Sequence, residues 1–591
     1  MPSPLKHYIS IASGTLTSFV LIWLTLQKVQ TGWSEEMPLM LDALTGLGVW
    51  SILAIWLLKS TYRFCFMDLC VGAWFVYTAF NYWFISPYPA GERIFSTLTA
   101  FMLYVVLRHS LSHRHKHIVV AAITIGGGYE AILGLMQLWG FTSSRHSLFD
   151  VTGTFFNPGP YAGYVVVVLS ILTAYLYRRH RCFTLPALKR CRSLRRIYAA
   201  GLYILCAALF YLSIVILPAT WSRAAFVAYI VVLPMMFYRR HKKWTMSLLG
   251  VAAVAGIMLY FAKAASANGR VLMNIISLRA IREAPICGHG VGGFAHAFAE
   301  SQSAYFIEHP LSPLVEVAGA PEYAFNELMQ VGVEQGWIGM ILAAIIAIGS
   351  CITLLRQRSE LAFGWIALLV FSLFSYPFSL QPFRILGVLF VAVAANASCR
   401  RKTTEKRTAR WGKILMMACV VAAAWGMMPR VRHKVKSREE WNMVSGYRHA
   451  AFIDDYEVWA GTLSDNPKFL FSYGKILNDL KRYNDSNAAL RAGTMVSADP
   501  MFYVVMGNNY RALKAYREAE EAYRKAFSMG PNKMYPLYQL LLMYIELGDN
   551  LQARETAQKI VDFRPKIRSN ATDEMQRFAA KHLNIHHPNN D

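Results

Sequence analysis

The sequence predicts an all-α polytopic membrane protein carrying a C-terminal α-helical repeat domain, on three observations. Of 591 residues, 55% are hydrophobic and only 16% charged, where a soluble globular chain carries about 25% charged residues. Apolar stretches recur at spanning length through residues 1–429. From Lys436 onward the chain turns polar and balanced, with 21 basic and 19 acidic residues, and repeats every 33–34 positions. The formal net charge of +25 raises a nucleic-acid partner as a possibility. A mean hydropathy of +0.31 and 14% aromatic residues argue against it and move the question to where the positive charges sit.

A spanning helix needs roughly 20 apolar residues, fewer where aromatic anchors end it. Such stretches fall near Tyr8–Leu26, Leu39–Leu58, Phe66–Ile85, Ile94–Leu107, Ile118–Trp139, Tyr161–Tyr177 and Ile197–Leu217. They continue near Ala224–Tyr238, Trp244–Phe261, Trp337–Leu355, Leu361–Tyr376, Ile385–Ala395 and Ile414–Met428. Charge tests this set of about 12–13 spans. Alternate loops hold 27 basic residues, including the runs Arg178 to Arg196 and Arg400 to Lys413. The opposite loops hold few, among them Lys28, Arg93, Arg145, Arg223 and Arg384. Because basic loops stay cytoplasmic, the chain reads as N-in and C-out. The first apolar segment lacks a small-residue cleavage site and reads as a signal anchor. In a bacterium the tail would then lie in the periplasm, and only Cys287 of nine cysteines falls in an external loop, so no disulfide framework is expected.

Three regions follow. Residues 1–429 form the membrane domain, interrupted by a long external segment at about 262–335; a loop that long is functional or disordered, and its Gly, Pro and aromatic content favours partial order. Residues 430–465 are a linker leading into the soluble domain, and residues 466–591 form the repeats. There Gly474, Gly507 and Leu541 are in register, as are Leu477, Tyr510 and Tyr544, with small residues such as Ala489 and Ala522 after them and prolines at 500, 531 and 565 closing units. Small residues where two helices cross make stackable hairpins, and the middle unit resembles a tetratricopeptide repeat.

Chemistry is sought on the external face. Arg223, in TWSRAAF, begins the eighth stretch; an arginine there is a functional residue lining a cavity or one that snorkels to the interface. The piece SLFDVTGTFFNPGPYAGY surrounds Asn157 with Gly153, Pro158 and Gly159, which suits a re-entrant turn or a well-packed loop. Arg270 heads a helical stretch ending at Pro285 and the GHGVGG run. That run lacks the Lys-Ser/Thr of a phosphate loop and reads as a turn returning the chain to the membrane. In PEYAFNELMQVGVEQGWIGM, Glu327 and Glu334 sit seven apart, nearly on one helix face with Gln330 between them. A site would place them so, and so would a solvated helix face, which Asn326 and the apolar setting suit less well. Glu130 is a further ionisable residue inside the fifth stretch. His289, His309 and Cys287 are scattered without metal-ligand spacing.

Together these pieces give a resemblance. VTGTFFNPGPYAGY, SRAAFVA with Arg223, GR at Arg270 fifteen residues before PICGHGVGGF, and FNELMQVGVEQGWIG resemble, in order and on one side of the membrane, the O-antigen ligase, polymerase and oligosaccharyltransferase superfamily of bacterial inner membranes. The last piece matches its His-Asn-x-x-Leu-Gln-x-x-x-Glu-x-Gly pattern at Asn326, Gln330, Glu334 and Gly336. The resemblance implies transfer of a glycan from an undecaprenyl-diphosphate carrier, with O-antigen ligation to lipid A-core first, protein O-glycosylation second and polymerisation third. It implies no metal or other cofactor. Arg223 and Arg270 are expected to hold the diphosphate, since guanidinium forks bind such groups bidentately. Phe325 stands where the superfamily has a histidine, so Glu327 or Glu322 is expected to take the acceptor proton, unless the mechanism differs; Glu327 is favoured. Asn157, Asn326, Gln330, Glu334 and Glu322 complete the expected substrate site. The expected partners are the lipid-linked donor, a lipid A-core or protein acceptor, the membrane, and a protein on the repeats, with no nucleic acid. A reading from another class is a transporter or non-catalytic assembly scaffold with a repeat docking arm; a transporter more often shows paired inverted repeats and interrupted midplane helices, and the membrane region has no convincing internal repeat.

Overall fold

A computed structural model describes residues 4–29, 36–58, 62–111, 115–179, 194–238, 242–243, 245–247, 250, 264–398, 407–408, 410–446 and 450–585. These residues are nearly all helical, apart from a two-residue antiparallel ladder between Tyr62–Arg63 and Arg407–Thr408. The membrane region runs α1 (Pro4–Thr25), α2 (Glu36–Leu58), α3 (Phe66–Phe84), α4 (Gly91–Ser110), α5 (Lys116–Leu138), α6 (Pro158–Arg179), α7 (Leu194–Ala219) and α8 (Arg223–Phe237). After α9 (Ala264–Glu283) and α10 (Phe294–Glu308) it continues as α11 (Glu327–Arg356), α12 (Leu361–Ser372), α13 (Gln381–Ser398) and α14 (Arg410–Val444).

Among the described residues eight helices are long and apolar enough to cross a membrane: α1, α2, α5, α6, the Ala200–Ala219 part of α7, α11, α13 and α14. The chain is a multi-pass membrane protein. The shorter apolar helices α8 and α12 lie where the eighth and eleventh stretches were expected, and α3 and α4 where the third and fourth were. Most of the expected span Trp244–Phe261 lies outside the described residues.

The core sits around α6, buried almost continuously from Pro158 to Tyr175. Glycines let its neighbour approach: a Cβ at Gly163 would lie 2.4 Å from Phe371, and one at Gly364 2.5 Å from Ile171, so α6 and α12 touch at their backbones' distance. By contrast α11 leaves Ile338, Ile341, Ile345, Ile348 and Ile352 exposed, a stripe at helical spacing that faces lipid.

Residues 264–326, from α9 to the entry of α11, carry their own core. Leu272, Ile276, Ala280 and Ile281 of α9 pack against Phe294, Ala297, Phe298 and Phe306 of α10 and Val333 of α11. The GHGVGG run turns back as expected. Gly288, Gly290 and Gly292 have φ of 71°, 105° and 86°, open to glycine and strained for other residues. The run lies against α11, whose helix breaks at Gly336 (φ 62°, ψ −160°). There His289 N–H donates to Val333 O at 2.8 Å and Gly290 N–H to Glu334 O at 2.9 Å.

α14 leaves the membrane region as one 35-residue helix and delivers Trp441 into a cluster with Tyr456 and Phe469. Then come α15 (Ile453–Ala460) and the hairpins α16 (Pro467–Asp479) with α17 (Tyr483–Thr494), α18 (Met501–Ala512) with α19 (Tyr516–Met529) and α20 (Tyr535–Leu547) with α21 (Asn550–Val561). α22 (Asn570–Ile585) closes the series. The glycine register marks helix crossings: a Cβ at Gly474 would lie 2.6 Å from Leu490 and one at Gly507 2.5 Å from Tyr523.

Candidate functional site

On the face that carries the repeats, the entry to α11 is built around a strained residue. Phe325 has φ 51°, uncommon for any residue with a side chain and costly for a bulky one. Asn326 follows in extended conformation and caps the helix, its Oδ1 accepting from Leu328 N–H at 3.1 Å and Met329 N–H at 3.4 Å. The side chain of Asn326 is therefore engaged in starting α11.

The reversal at Phe325 sends its ring under a guanidinium: Arg270 Cζ lies 3.8 Å from the ring centroid, a cation–π contact. Arg270 donates through Nη1 to Phe374 O at 3.2 Å. Its remaining donors have no hydrogen-bond partner among the described residues. Burial, reinforced by the nearby charge of Arg223, pushes Arg270 down to about 10, against the pull of Tyr376 in the other direction. Arg223 is the first residue of α8, so its cationic side chain starts at the positive end of that helix's dipole.

Glu327, two residues after Phe325, has Oε1 fixed by the N–H of Phe378 at 2.7 Å. Oε2 has no hydrogen-bond partner among the described residues, and Arg93, Glu334 and Arg384 are near enough to act on the carboxyl electrostatically. One short segment between α12 and α13 thus serves both halves of the site. Phe374 O receives Arg270, Phe378 N–H holds Glu327, and between them Tyr376 meets Phe325 edge to face at 4.8 Å and stacks on Tyr323 at 5.0 Å. Arg93 Cζ lies 5.7 Å from the Tyr323 ring. Glu322 is exposed beside Tyr323 and Tyr376.

One turn further along α11, Gln330 and Glu334 form the floor. Gln330 Oε1 accepts from Ala324 N–H at 2.8 Å and its Nε2 donates to Glu334 Oε1 at 2.7 Å. Glu334 is 4% exposed and ion-paired with Arg93, so it is not a solvated surface glutamate. Asn157 Oδ1 accepts from Gly159 N–H at 2.9 Å and closes the turn into α6. The preceding loop is sewn into the bundle. Gln137 Oε1 accepts from Thr152 and Gly153 N–H at 2.9 and 2.7 Å, and Glu130 accepts from Thr154 N–H at 3.1 Å and its hydroxyl at 2.6 Å. Arg145 donates to Thr154 O at 2.6 Å. Glu130 is consumed by this anchoring.

The structure therefore gathers Glu322, Phe325, Glu327, Gln330, Glu334 and Arg270 around the α11 entry, with Arg223 near enough to Arg270 to act on it electrostatically. Sequence reasoning did not place Arg93, Arg384, Tyr323, Tyr376 or the Phe374–Phe378 backbone here. The signal for the two arginines was present, since both belong to the few cations on the lightly charged side.

Residues 207–344 match the O-antigen ligase family model, and residues 502–533 match a tetratricopeptide repeat. The first match spans Arg223, Arg270 and every residue of the α11 entry discussed above, and the second covers α18 and α19. No curated protein matches the chain significantly.

Proposed function

We propose that the protein is a glycan ligase at the periplasmic face of a bacterial inner membrane, moving a glycan from an undecaprenyl-diphosphate carrier to lipid A-core. The sidedness of the 27 basic residues supports that face. The observation that carries the chemistry is a matched pair. Arg270 is a half-buried cation with unused donors beside Arg223, and across the Phe374–Phe378 segment Glu327 holds one oxygen fixed and one open.

The two arginines bind the diphosphate, whose charge grows as it leaves. The acceptor hydroxyl forms a bond to the anomeric carbon as the carbon–oxygen bond to the diphosphate breaks. The diphosphate departs with the electron pair, and the hydroxyl proton passes to Glu327 Oε2. Asn326, Gln330 and Glu334, tied to Arg93, frame the base; Glu322 and the Tyr323–Tyr376 stack flank the entrance for the glycan.

A protein acceptor is the second reading, favoured by the repeat unit lying beside the site. Gene deletion separates them. Loss of the O-antigen ladder with accumulated lipid-linked glycan supports ligation to lipid A-core. An intact ladder with lost periplasmic glycoprotein staining moves the acceptor to protein, and altered chain length points to polymerisation. Arg223→Ala and Glu327→Ala should each abolish transfer while the protein stays in the membrane; full activity in Arg223→Ala removes it from the donor site.

A further inference from the structure

The α10 helix has two buried faces. Phe294, Ala297 and Phe298, at i, i+3 and i+4, face α9. His296, Ala299, Glu300 and Ser303, at i, i+3, i+4 and i+7, face the repeats. That second face is specific. Lys525 Nζ donates to Glu300 Oε2 at 2.6 Å and to Ser303 Oγ at 3.3 Å. Ser303 and Ser528 hydroxyls lie 2.7 Å apart, and Gln302 Nε2 donates to Met529 O at 2.6 Å. His296 Nδ1 is 3.0 Å from Thr494 O, Asn532 Nδ2 donates to Ala318 O at 2.9 Å, and Ala299 packs on Ala498 and Met529.

Most of these partners lie on α19 or the turn after it, within the unit that most closely follows the tetratricopeptide pattern. A repeat unit is ordinarily expected to leave its surface for another protein. Here that edge is filled by the chain's own α10, the direct neighbour of the helix that carries Arg270.

We infer that the second repeat unit is a permanent clamp on α10, and that Glu300 and Lys525 are positioning residues that hold α9, and with it Arg270, where the donor binds. The positioning role rests on the glycan-transfer reading; the clamp does not. A repeat arm free to swing would need α10 to expose Ala299, Gln302 and Ser303, each no more than 3% exposed, so separation would uncover Ala299, strip Ser303 of Ser528 and Lys525, and leave Gln302 Nε2 with Gly319 O alone. With the clamp closed, loosening the Glu300–Lys525 contact reaches Arg270 through two packed layers, α10 on α9, whose interface is Phe294 and Phe298 against Leu272 and Ile276.

The test uses the full chain in its native membrane. Ser303→Cys with Ser528→Cys should oxidise to a disulfide, found by mass spectrometry of the linked peptides, with transfer at the parental rate. Free thiols after oxidation would overturn the clamp. A disulfide that stops transfer until reductant is added would overturn its permanence. Glu300→Lys or Lys525→Glu alone should raise the KM for the lipid-linked donor roughly fivefold with kcat nearly unchanged, as expected for coupling between neighbouring sites. The double swap should restore it. Unchanged KM in both single variants would overturn the positioning role even with the disulfide formed. A parent chain with no transfer would overturn the ligase reading and the positioning role together, while the disulfide would still report the clamp.

Discussion

Phe325 is the position where a small change should be most revealing. Its ring lies 3.8 Å from Arg270 Cζ, and burial withdraws that guanidinium from water strongly enough to push it down to about 10. A desolvated cation–π contact is worth about 2 kcal/mol, and about 1.4 kcal/mol corresponds to a factor of ten. Phe325→Leu keeps a large apolar side chain there but removes the π face, so kcat/KM for the lipid-linked donor should fall roughly 30-fold. Phe325→Tyr keeps the face and should stay within about threefold of the parent. The assay is initial-rate transfer by the full chain in proteoliposomes, with equal amounts of folded protein checked by size-exclusion chromatography. A leucine variant as active as the parent would refute the reasoning. So would a tyrosine variant that falls as far as the leucine one, because the ring face would then not be what matters.

Glu327→Gln keeps an oxygen for the Phe378 N–H but cannot take a proton, so transfer should drop by about 10²–10⁴ with thermal stability unchanged; a rate near the parent's in a transfer assay would remove Glu327 as base. Gly336→Ala forces a side chain onto φ 62°, with its Cβ 2.3 Å from Ile286 O. It should cost roughly 3 kcal/mol or more, seen as a lower unfolding temperature in detergent, and an unchanged temperature would deny that the GHGVGG run is seated on the break in α11. The lowered level of Arg270 gives a pH test. Its native level lies below the ordinary 12.5, so the unfolded chain binds more protons between about 10 and 12.5, and this group's contribution to stability rises with pH there. Anion binding runs the other way. Inhibition of transfer by pyrophosphate should be level from about pH 7 to 9 and weaken above about 10 as the guanidinium loses its charge. Inhibition that is level through pH 11 would take Arg270 out of the anion site.

Much of the proposed site was legible in the linear chain because membranes sort charge. Basic residues collect on one side to set topology, so the scarce arginines on the other side stand out, and Arg223, Arg270, Arg93 and Arg384 are all among those scarce cations or near them in the fold. The pairing of Glu327 with Glu334 on one helix end followed from spacing alone. What each side chain does there was not legible. Asn326 caps a helix and Asn157 closes a turn, roles that depend on local φ and ψ rather than on residue type, and Glu130 anchors a loop 24 residues away.

By itself the sequence determined the class of molecule and the order of its parts, since hydropathy, repeat period and charge are properties of short windows. The tertiary structure alone decided the rest: the ion pair of Arg93 with Glu334, 241 residues apart; the Phe374–Phe378 segment joining Arg270 to Glu327; and the seating of α19 on α10. In an apolar bundle nearly every helix face is hydrophobic, so the pattern says which segments are helices and leaves open which faces meet. Those choices are made by small residues, buried hydrogen bonds and close packing between distant segments, and they exist only in the folded chain.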